Sequence, residues 1–421
     1  MRVLMLAWEY PPRVVGGLAM HAYDLSVTLS NNGHEVCVIT CGSPGVPVYE
    51  AMDGVQVYRV QPYDLPSRDI VRWATQLNVA MLEKAVQLFS QETEFDVIHA
   101  HDWLVAFAAR ALKHAYRLPL VVTMHATEYG RNNGIHNEVQ RDISNIEWWL
   151  TYESWRVICC SGYMKGELQR VFNLPEDKIA LIPNGVYPER FKQLVIPDHF
   201  KSRFALPHER IIYYVGRLVQ EKGVQVLIDA AGTILAGCPD AKFVIAGTGP
   251  YEHYLKSKAR DLGLGEKVHF TGYLNDEDRD ALYKLAEIAV FPSLYEPFGI
   301  VALEAMAAGT PVIVSDSGGL AEIVRNNEDG LYTATGSAPS LANQVLRLLH
   351  TPGFAGQIAL RAREKVEACY DWRVIARQTA EVYEAVLMES KQQGWGEPEK
   401  ARWNPLNKLF GERRRRNETF N

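Results

Sequence analysis

Two acidic residues, Glu296 and Glu304, bracket a glycine and an apolar helix-forming run in YEPFGIVALEAMAAGTPVIVSDSGG (295–319). Acids so placed can serve a helix start, ligate a metal, or face a ligand held at a helix N-terminus. A helix beginning near Gly299 presents unpaired N–H groups and partial positive charge, which suit an anion. Glu304 lies about one and a half turns in, and helical side chains lean toward the N-terminus. Its carboxylate is acceptor-only and suits a pair of sugar hydroxyls. Its neighbours Leu303, Ala305, Met306 and Ala307 argue against an ordinary solvent-facing glutamate. Glu296, ahead of the helix, falls on the other side of that anion.

Other strand-end loops carry compatible chemistry. In YYVGRLVQEKGV, Arg217 and Lys222 stand on a loop leading into a helix at about Gly223, and two converging cations suit a diphosphate. Gly16-Gly17 opens the first helix, either as a plain turn or as a close approach of backbone N–H groups to an anion. HAHDW places His101 and Asp102 at one strand end, and TMHATEYGR places His125, Glu128 and Arg131 at the next. Zinc is disfavoured, because the histidines form no H-E-x-x-H pattern and no cysteine joins them. AGTGPYE (246–252) lacks the third glycine of a dinucleotide fingerprint, and no G-x-x-x-x-G-K-[ST] occurs. The acids 276–278 directly precede an apolar helix and read as helix-start residues.

The elements that must position these loops alternate throughout. Strands are expected at 2–8, 34–40, 55–60, 96–100, 119–125, 156–161 and 179–185, then at 211–216, 241–247, 267–272, 288–293, 311–316 and 329–335. Amphipathic helices are expected at 16–32, 72–90, 136–153 and 371–390. Nearly continuous apolar strands between helices imply α/β architecture with doubly wound parallel sheets. The proline-interrupted stretch 186–209 reads as a linker between two such domains, and sites then lie in the cleft beyond the strand C-termini. The organisation expected is a first domain over 1–190, a second over 191–370, a helix over 371–390 and a basic, flexible tail over 391–421.

A chain of 421 residues with 47% hydrophobic and 22% charged content is an ordinary two-domain globular protein. Its net charge of −6 gives no reason to expect nucleic-acid binding. The tail is the exception, with eight Lys or Arg against four Glu in 391–421. With its tryptophans and the run Arg413–Arg416, it could touch anionic lipid or nucleic acid, although a disordered, solvated tail is the plainer reading. The six cysteines show no metal-type repeat and suit buried thiols in a reducing compartment. MRVLMLAWEYPP reads as a strand and not as a signal peptide, and no apolar stretch is long enough to span a membrane. The expected location is cytoplasmic.

Taken together, EYPPRVVGGLAMHAYDL, HAHDW, TMHATEYGR, IPNGV, VGRLVQEKGV, IAGTGP, FTGYL and EPFGIVALEAMAAGTPVIVSDSGGLAEIV closely resemble the retaining nucleotide-sugar glycosyltransferases of family four. The resemblance runs from residue 1 to about 390 and is nearest the glycogen/starch synthase and maltose-1-phosphate synthase group. It implies the GT-B fold, two Rossmann-like domains facing across a cleft, with the last helix crossing back onto the first. It further implies a metal-independent hexosyltransferase with no cofactor, using ADP-glucose or UDP-glucose as co-substrate. The acceptor hydroxyl would belong to an α-glucan or a sugar phosphate. By this resemblance Arg217, Lys222 and the amides of Gly299, Ile300 and Val301 hold the diphosphate, with Gly16 and Gly17 near its distal phosphate or the sugar. Glu296 and His125 contact the transferred sugar, Glu304 the ribose, and the backbone at Tyr273-Leu274 the base. Asp102 and His101 face the acceptor. One position departs from the polymer synthases: Val14 stands where they carry a lysine, with Arg13 beside it. Two other readings remain at this stage, a nucleotide-sugar-binding regulatory protein and a nucleotide-sugar epimerase on the same fold.

Overall fold

The computed structural model describes residues 1–63, 65, 69–91 and 94–396. Its first sheet contains β1 (Arg2–Ala7), β2 (Glu35–Cys41), β3 (Tyr49–Met52), β4 (Val55–Val60), β5 (Val97–His101), β6 (Leu120–Met124), β7 (Arg156–Cys159) and β8 (Ile179–Leu181). The spatial order is β3-β4-β2-β1-β5-β6-β7-β8. The second sheet contains β9 (Arg210–Val215), β10 (Ala241–Ala246), β11 (Val268–Gly272), β12 (Ile288–Phe291), β13 (Val312–Ser315) and β14 (Leu331–Thr333). Its order is β11-β10-β9-β12-β13-β14. Every pairing is parallel except β3 with β4. These are the two doubly wound sheets that the alternation of apolar runs implied. Most strands end one to four residues short of those runs, because the last residues leave the sheet to form the loops, while β2 and β5 run one residue further.

The antiparallel β3 was not anticipated. Its residues YEAM are half to fully exposed, so no buried β-branched run marks it. The signal was the turn, Asp53-Gly54, where both residues have positive φ (48° and 84°), as a two-residue hairpin requires. The stretch 186–209 holds only a short helix, Glu189–Gln193, and a single 3-10 turn, Phe200–Arg203.

In each sheet the strand order reverses beside the first strand, between β1 and β5 and between β9 and β12, and the loops leaving these strands open toward one cleft. The helix Trp372–Gln392 lies on the first domain, where Trp372, Ile375, Tyr383 and Val386 are buried with Val3, Met5 and Val36. Full burial of such a side chain stabilises by roughly 2 kcal/mol. The Tyr383 hydroxyl meets His99 Nδ1 at 2.6 Å, and Arg156 pairs with Glu389 at 2.8 Å. The chain's two crossings between domains run side by side: Val186 N–H donates to Tyr370 O (2.8 Å) and Trp372 N–H to Val186 O (3.2 Å). Beyond the helix, Trp395 lies under Arg117 at 4.6 Å and Lys113 at 5.3 Å, so residues 393–396 are anchored. The basic run 413–416 lies outside the described residues, and no described helix is long and apolar enough to cross a membrane.

One glycine decides the geometry of the second domain's cleft edge. Gly223 has φ +69°, and a Cβ there would lie 1.9 Å from the Pro292 carbonyl oxygen. Both the strain and the collision fall on the turn that carries Lys222. Gly223→Ala is expected to cost about 3 kcal/mol. Thermal unfolding checks this, and a variant as stable as the native chain would show that the turn is not so constrained.

Candidate active site

Loops of both domains enclose a cavity of about 440 Å³. From the first domain it is lined by Trp8, Glu9, Gly16, Gly17, Asp102, His125 and Arg131 among others, and from the second by Arg217, Lys222, Tyr295, Glu296 and Gly299–Val301. All four residues expected to be catalytic therefore converge: Glu296, His125, Arg217 and Lys222.

The second-domain wall is built from two interlocked loops. After β9, a 3-10 turn over Gln220–Lys222 projects Lys222, whose Nζ donates to Glu296 Oε2 at 2.6 Å. The Glu221 carbonyl accepts the amides of Leu294 (2.8 Å) and Tyr295 (3.2 Å), tying that turn to the loop after β12. Gly319 N–H donates to Glu296 O at 2.8 Å and holds the same loop from behind. Arg217 is half exposed and lies 3.4 Å from Glu221. The helix Ile300–Ala308 opens on Gly299 (φ 108°), and no side chain caps its first turn. Two cations and an uncapped helix start thus face the same space, which suits a diphosphate.

The first-domain wall is acidic. Glu9, which sequence reasoning missed, is buried and its Oε2 accepts the amides of Val15 (2.6 Å) and Gly16 (3.1 Å). The Gly16 amide, expected to approach the donor, is therefore already occupied. Asp102 takes φ 58°, ψ 177°, a conformation nearly confined to glycine. Its Oδ1 accepts the His125 amide at 2.7 Å, and Arg131 lies 3.8 Å from Oδ2. That network holds a strained backbone at the strand end and fixes the His125 loop. Burial pushes the Glu9 carboxyl up to about 7 against the pull of the two amides, with Asp102 adding to the rise. Burial likewise raises Asp102 to about 6, against Arg131 and the amides it accepts.

Both carboxyls hold their proton more tightly folded than unfolded. The stability this gives is complete below the ordinary carboxylate range and is lost as pH rises through about 6 and about 7. Glu9→Gln removes one of these ionisations and keeps an acceptor for the amides. Its Tm relative to the native chain is expected to rise between pH 5 and pH 8. A difference independent of pH, measured by circular dichroism, would show that Glu9 does not ionise in the fold.

Four expected site residues lie outside the lining. Glu304 is buried, with Oε1 accepting from Arg190 (2.7 Å) and Oε2 from the Tyr283 hydroxyl (2.9 Å). Burial pushes its carboxyl up, but Arg279 and Arg190 outweigh that and hold it below its ordinary range. It faces the linker helix because Arg190 draws it there. Tyr273 is 71% exposed, with Leu274 beside it, beyond β11. His101 is fully buried beneath the cavity floor, its Nδ1 sharing a 3.1 Å hydrogen bond with His125 Nε2.

His21, on the helix Gly17–Asn31, completes a cluster that the sequence did not suggest. One ring nitrogen from each of His21, His101 and His125 lies within 4.8 Å of the other two. Burial depresses the proton affinity of all three, His125 to about 3, so the rings are neutral. The proton shared between His101 and His125 competes with any cation for those two nitrogens. The arrangement is read most simply as a packed support that fixes the His125 ring at the cavity. Val14 is exposed, and the Arg13 guanidinium lies over Trp8 (5.6 Å) and Trp73 (5.9 Å), so Arg13 is not delivered into the cavity.

A two-sheet cleft with paired cations at a helix start is the architecture of GT-B glycosyltransferases. Residues 15–190 match the family model described as Glycosyltransferase Family 4, and residues 196–365 match Glycosyl transferases group 1. An uncharacterized glycosyltransferase of Methanocaldococcus jannaschii is 42% identical, covering 92% of this chain and 99% of the relative. A glycogen synthase of Mycobacterium tuberculosis is 37% identical, covering 93% and 96%. The structure of sucrose-phosphate synthase from Thermosynechococcus elongatus superposes with TM-score 0.80 at 25% identity, covering 93% of this chain and 100% of that one. The chain belongs to glycosyltransferase family 4, as its loop motifs implied, and is a glycosyltransferase of the GT-B type.

Proposed function

We propose that this glycosyltransferase moves a hexose, glucose being favoured, from a nucleoside-diphosphate sugar to an acceptor hydroxyl with retention at the anomeric carbon. The observation that carries the reading is the Lys222–Glu296 pair, 2.6 Å apart, at an uncapped helix start beside Arg217 in one cavity. In this reading the diphosphate lies against the first turn of helix Ile300–Ala308. Lys222 and Arg217 neutralise the charge that grows there as the bond to the sugar breaks. Glu296 holds sugar hydroxyls, and its pair with Lys222 keeps sugar and leaving group in fixed register. Neutral His125 offers a ring nitrogen to the sugar. The electron pair of the broken bond goes to the diphosphate, whose oxygen takes the acceptor proton. Glu304 lies outside the lining with its oxygens held by Arg190 and the Tyr283 hydroxyl, so it reaches the ribose only if its bond to Arg190 gives way. The similarity to a glycogen synthase supports glucose, with UDP-glucose or ADP-glucose as donor.

A thermal-shift panel of nucleotide-sugars tests this. The donor is expected to raise Tm by a few degrees at about 100 times its Kd, from roughly 2.7 kcal/mol of linkage. Glu296→Gln should weaken the shift for the sugar-nucleotide more than for the bare nucleoside diphosphate. No shift with any member of the panel would remove the reading.

A further inference from the structure

A single proton is shared at the cavity floor, where His101 Nδ1 and His125 Nε2 lie 3.1 Å apart. Burial keeps both rings neutral, so each carries one N–H and only one of them can donate across that contact. If His101 donates, His125 keeps its own proton on Nδ1. If His125 donates, His101 must keep its proton on its own Nε2.

The surroundings of His101 Nε2 decide between the two arrangements. That atom is buried, and among the described residues no hydrogen bond reaches it. His99 lies against His101, with ring centroids 4.2 Å apart, but its nitrogens are already engaged. Its Nε2 meets Thr123 Oγ1 at 2.7 Å, and its Nδ1 meets the Tyr383 hydroxyl at 2.6 Å. Orphaned buried N–H groups are rarer in proteins than under-satisfied acceptors, so His101 Nε2 holds a lone pair and Nδ1 the proton. His125 Nε2 is then the acceptor, and the proton of His125 stands on Nδ1. His125 is half-buried and lines the cavity, so with Nε2 committed inward Nδ1 is the nitrogen left to a ligand. Asp102 fixes the backbone of this loop through the His125 amide at 2.7 Å, and His101 fixes the ring.

Resting on the transfer reading above, we infer that His101 is a positioning residue that holds His125 as the Nδ1–H tautomer. A sugar oxygen meets a hydrogen-bond donor there and not a base. That oxygen must accept, and its own hydroxyl proton turns to another partner. In this tautomer His125 has no free lone pair at the cavity, so the acceptor proton does not go to it. Passage of that proton to a diphosphate oxygen agrees with this assignment.

Two-bond proton–nitrogen correlation spectra of the full chain, nitrogen-labelled at histidine, read the tautomer directly. His125 is assigned by the loss of its signals in His125→Gln, and the expected pattern is a protonated Nδ1 and a bare Nε2. His101→Asn keeps an N–H donor near the place of Nδ1. It should keep the pattern, with kcat/KM for UDP-glucose or ADP-glucose and maltopentaose within about threefold of native. His101→Met offers only a weak acceptor, and should move the His125 proton to Nε2 and lower kcat/KM roughly 10²-fold. A native His125 protonated at Nε2 overturns the inference. An Asn variant as inactive as the Met variant also overturns it, since His101 would then act by shape alone. A Met variant whose tautomer moves without loss of rate does the same. Turnover of neither nucleotide-sugar removes the transfer reading and the role resting on it. The spectrum needs no donor and so distinguishes that failure from a wrong tautomer.

Discussion

Lys222→Met is expected to lower kcat/KM for the nucleotide-sugar by roughly 10³, about 4 kcal/mol of transition-state stabilisation. In the transfer reading proposed above, Lys222, the less exposed of the two cations (23% against 49%), meets the leaving-group charge, and Arg217 is too solvated to replace it. The same substitution has a second consequence. Glu296, whose side chain is only 11% exposed, loses its 2.6 Å partner and is left as an unpaired carboxylate, which costs about 3 kcal/mol. The double variant Lys222→Met/Glu296→Gln removes the orphaned charge. It should recover most of the stability and none of the activity. Steady-state kinetics with thermal unfolding separates the two effects, and a loss of less than tenfold in the stable double variant would contradict the role of Lys222.

Arg190→Met is expected to lower the unfolding transition by roughly 3 °C, from a cost of about 3 kcal/mol. The linker helix Glu189–Gln193 delivers this arginine between two buried acids of the second domain. It meets Glu304 at 2.7 Å and Asp280 at 3.1 Å. Arg279 serves the same acids, at 3.1 Å from Asp280 and 3.9 Å from Glu304. Without Arg190, two buried carboxylates share one guanidinium. Arg190→Met/Glu304→Gln should restore most of the loss, because one acid is then neutral. Differential scanning calorimetry on both variants is the check. A single variant as stable as the native chain would show that the linker contributes no anchoring charge.

The two acids that frame the helix start illustrate what can and cannot be read from a sequence. The helix itself and the preceding strand follow from local patterns, an apolar run and a glycine before it, whereas the 2.6 Å pair of Lys222 with Glu296 depends on β9 lying beside β12 in the sheet. Periodicity and strand-end chemistry are short-range signals, so they also brought Asp102 and His125 to the right wall. Glu304 differs because its partner, Arg190, comes from the irregular linker, where no period reveals which side chain turns inward. Glu9 was missed because its carboxylate folds back onto amides six and seven residues later, a contact made only once the loop has its shape. His21 joins His101 and His125 from a helix far away in the chain, and only the doubly wound topology brings them together. The hairpin strand β3 was hidden by its exposure. Its Asp-Gly turn was legible, and weighting turn chemistry equally with apolar runs would have found it.

The most direct test of the transfer reaction is proton NMR of the full chain with UDP-glucose or ADP-glucose and maltopentaose. The expected result is release of one nucleoside diphosphate per glucose added, with each new linkage showing the α-anomeric signal of the donor. A β-anomeric product, or a folded protein that consumes neither donor, would contradict it.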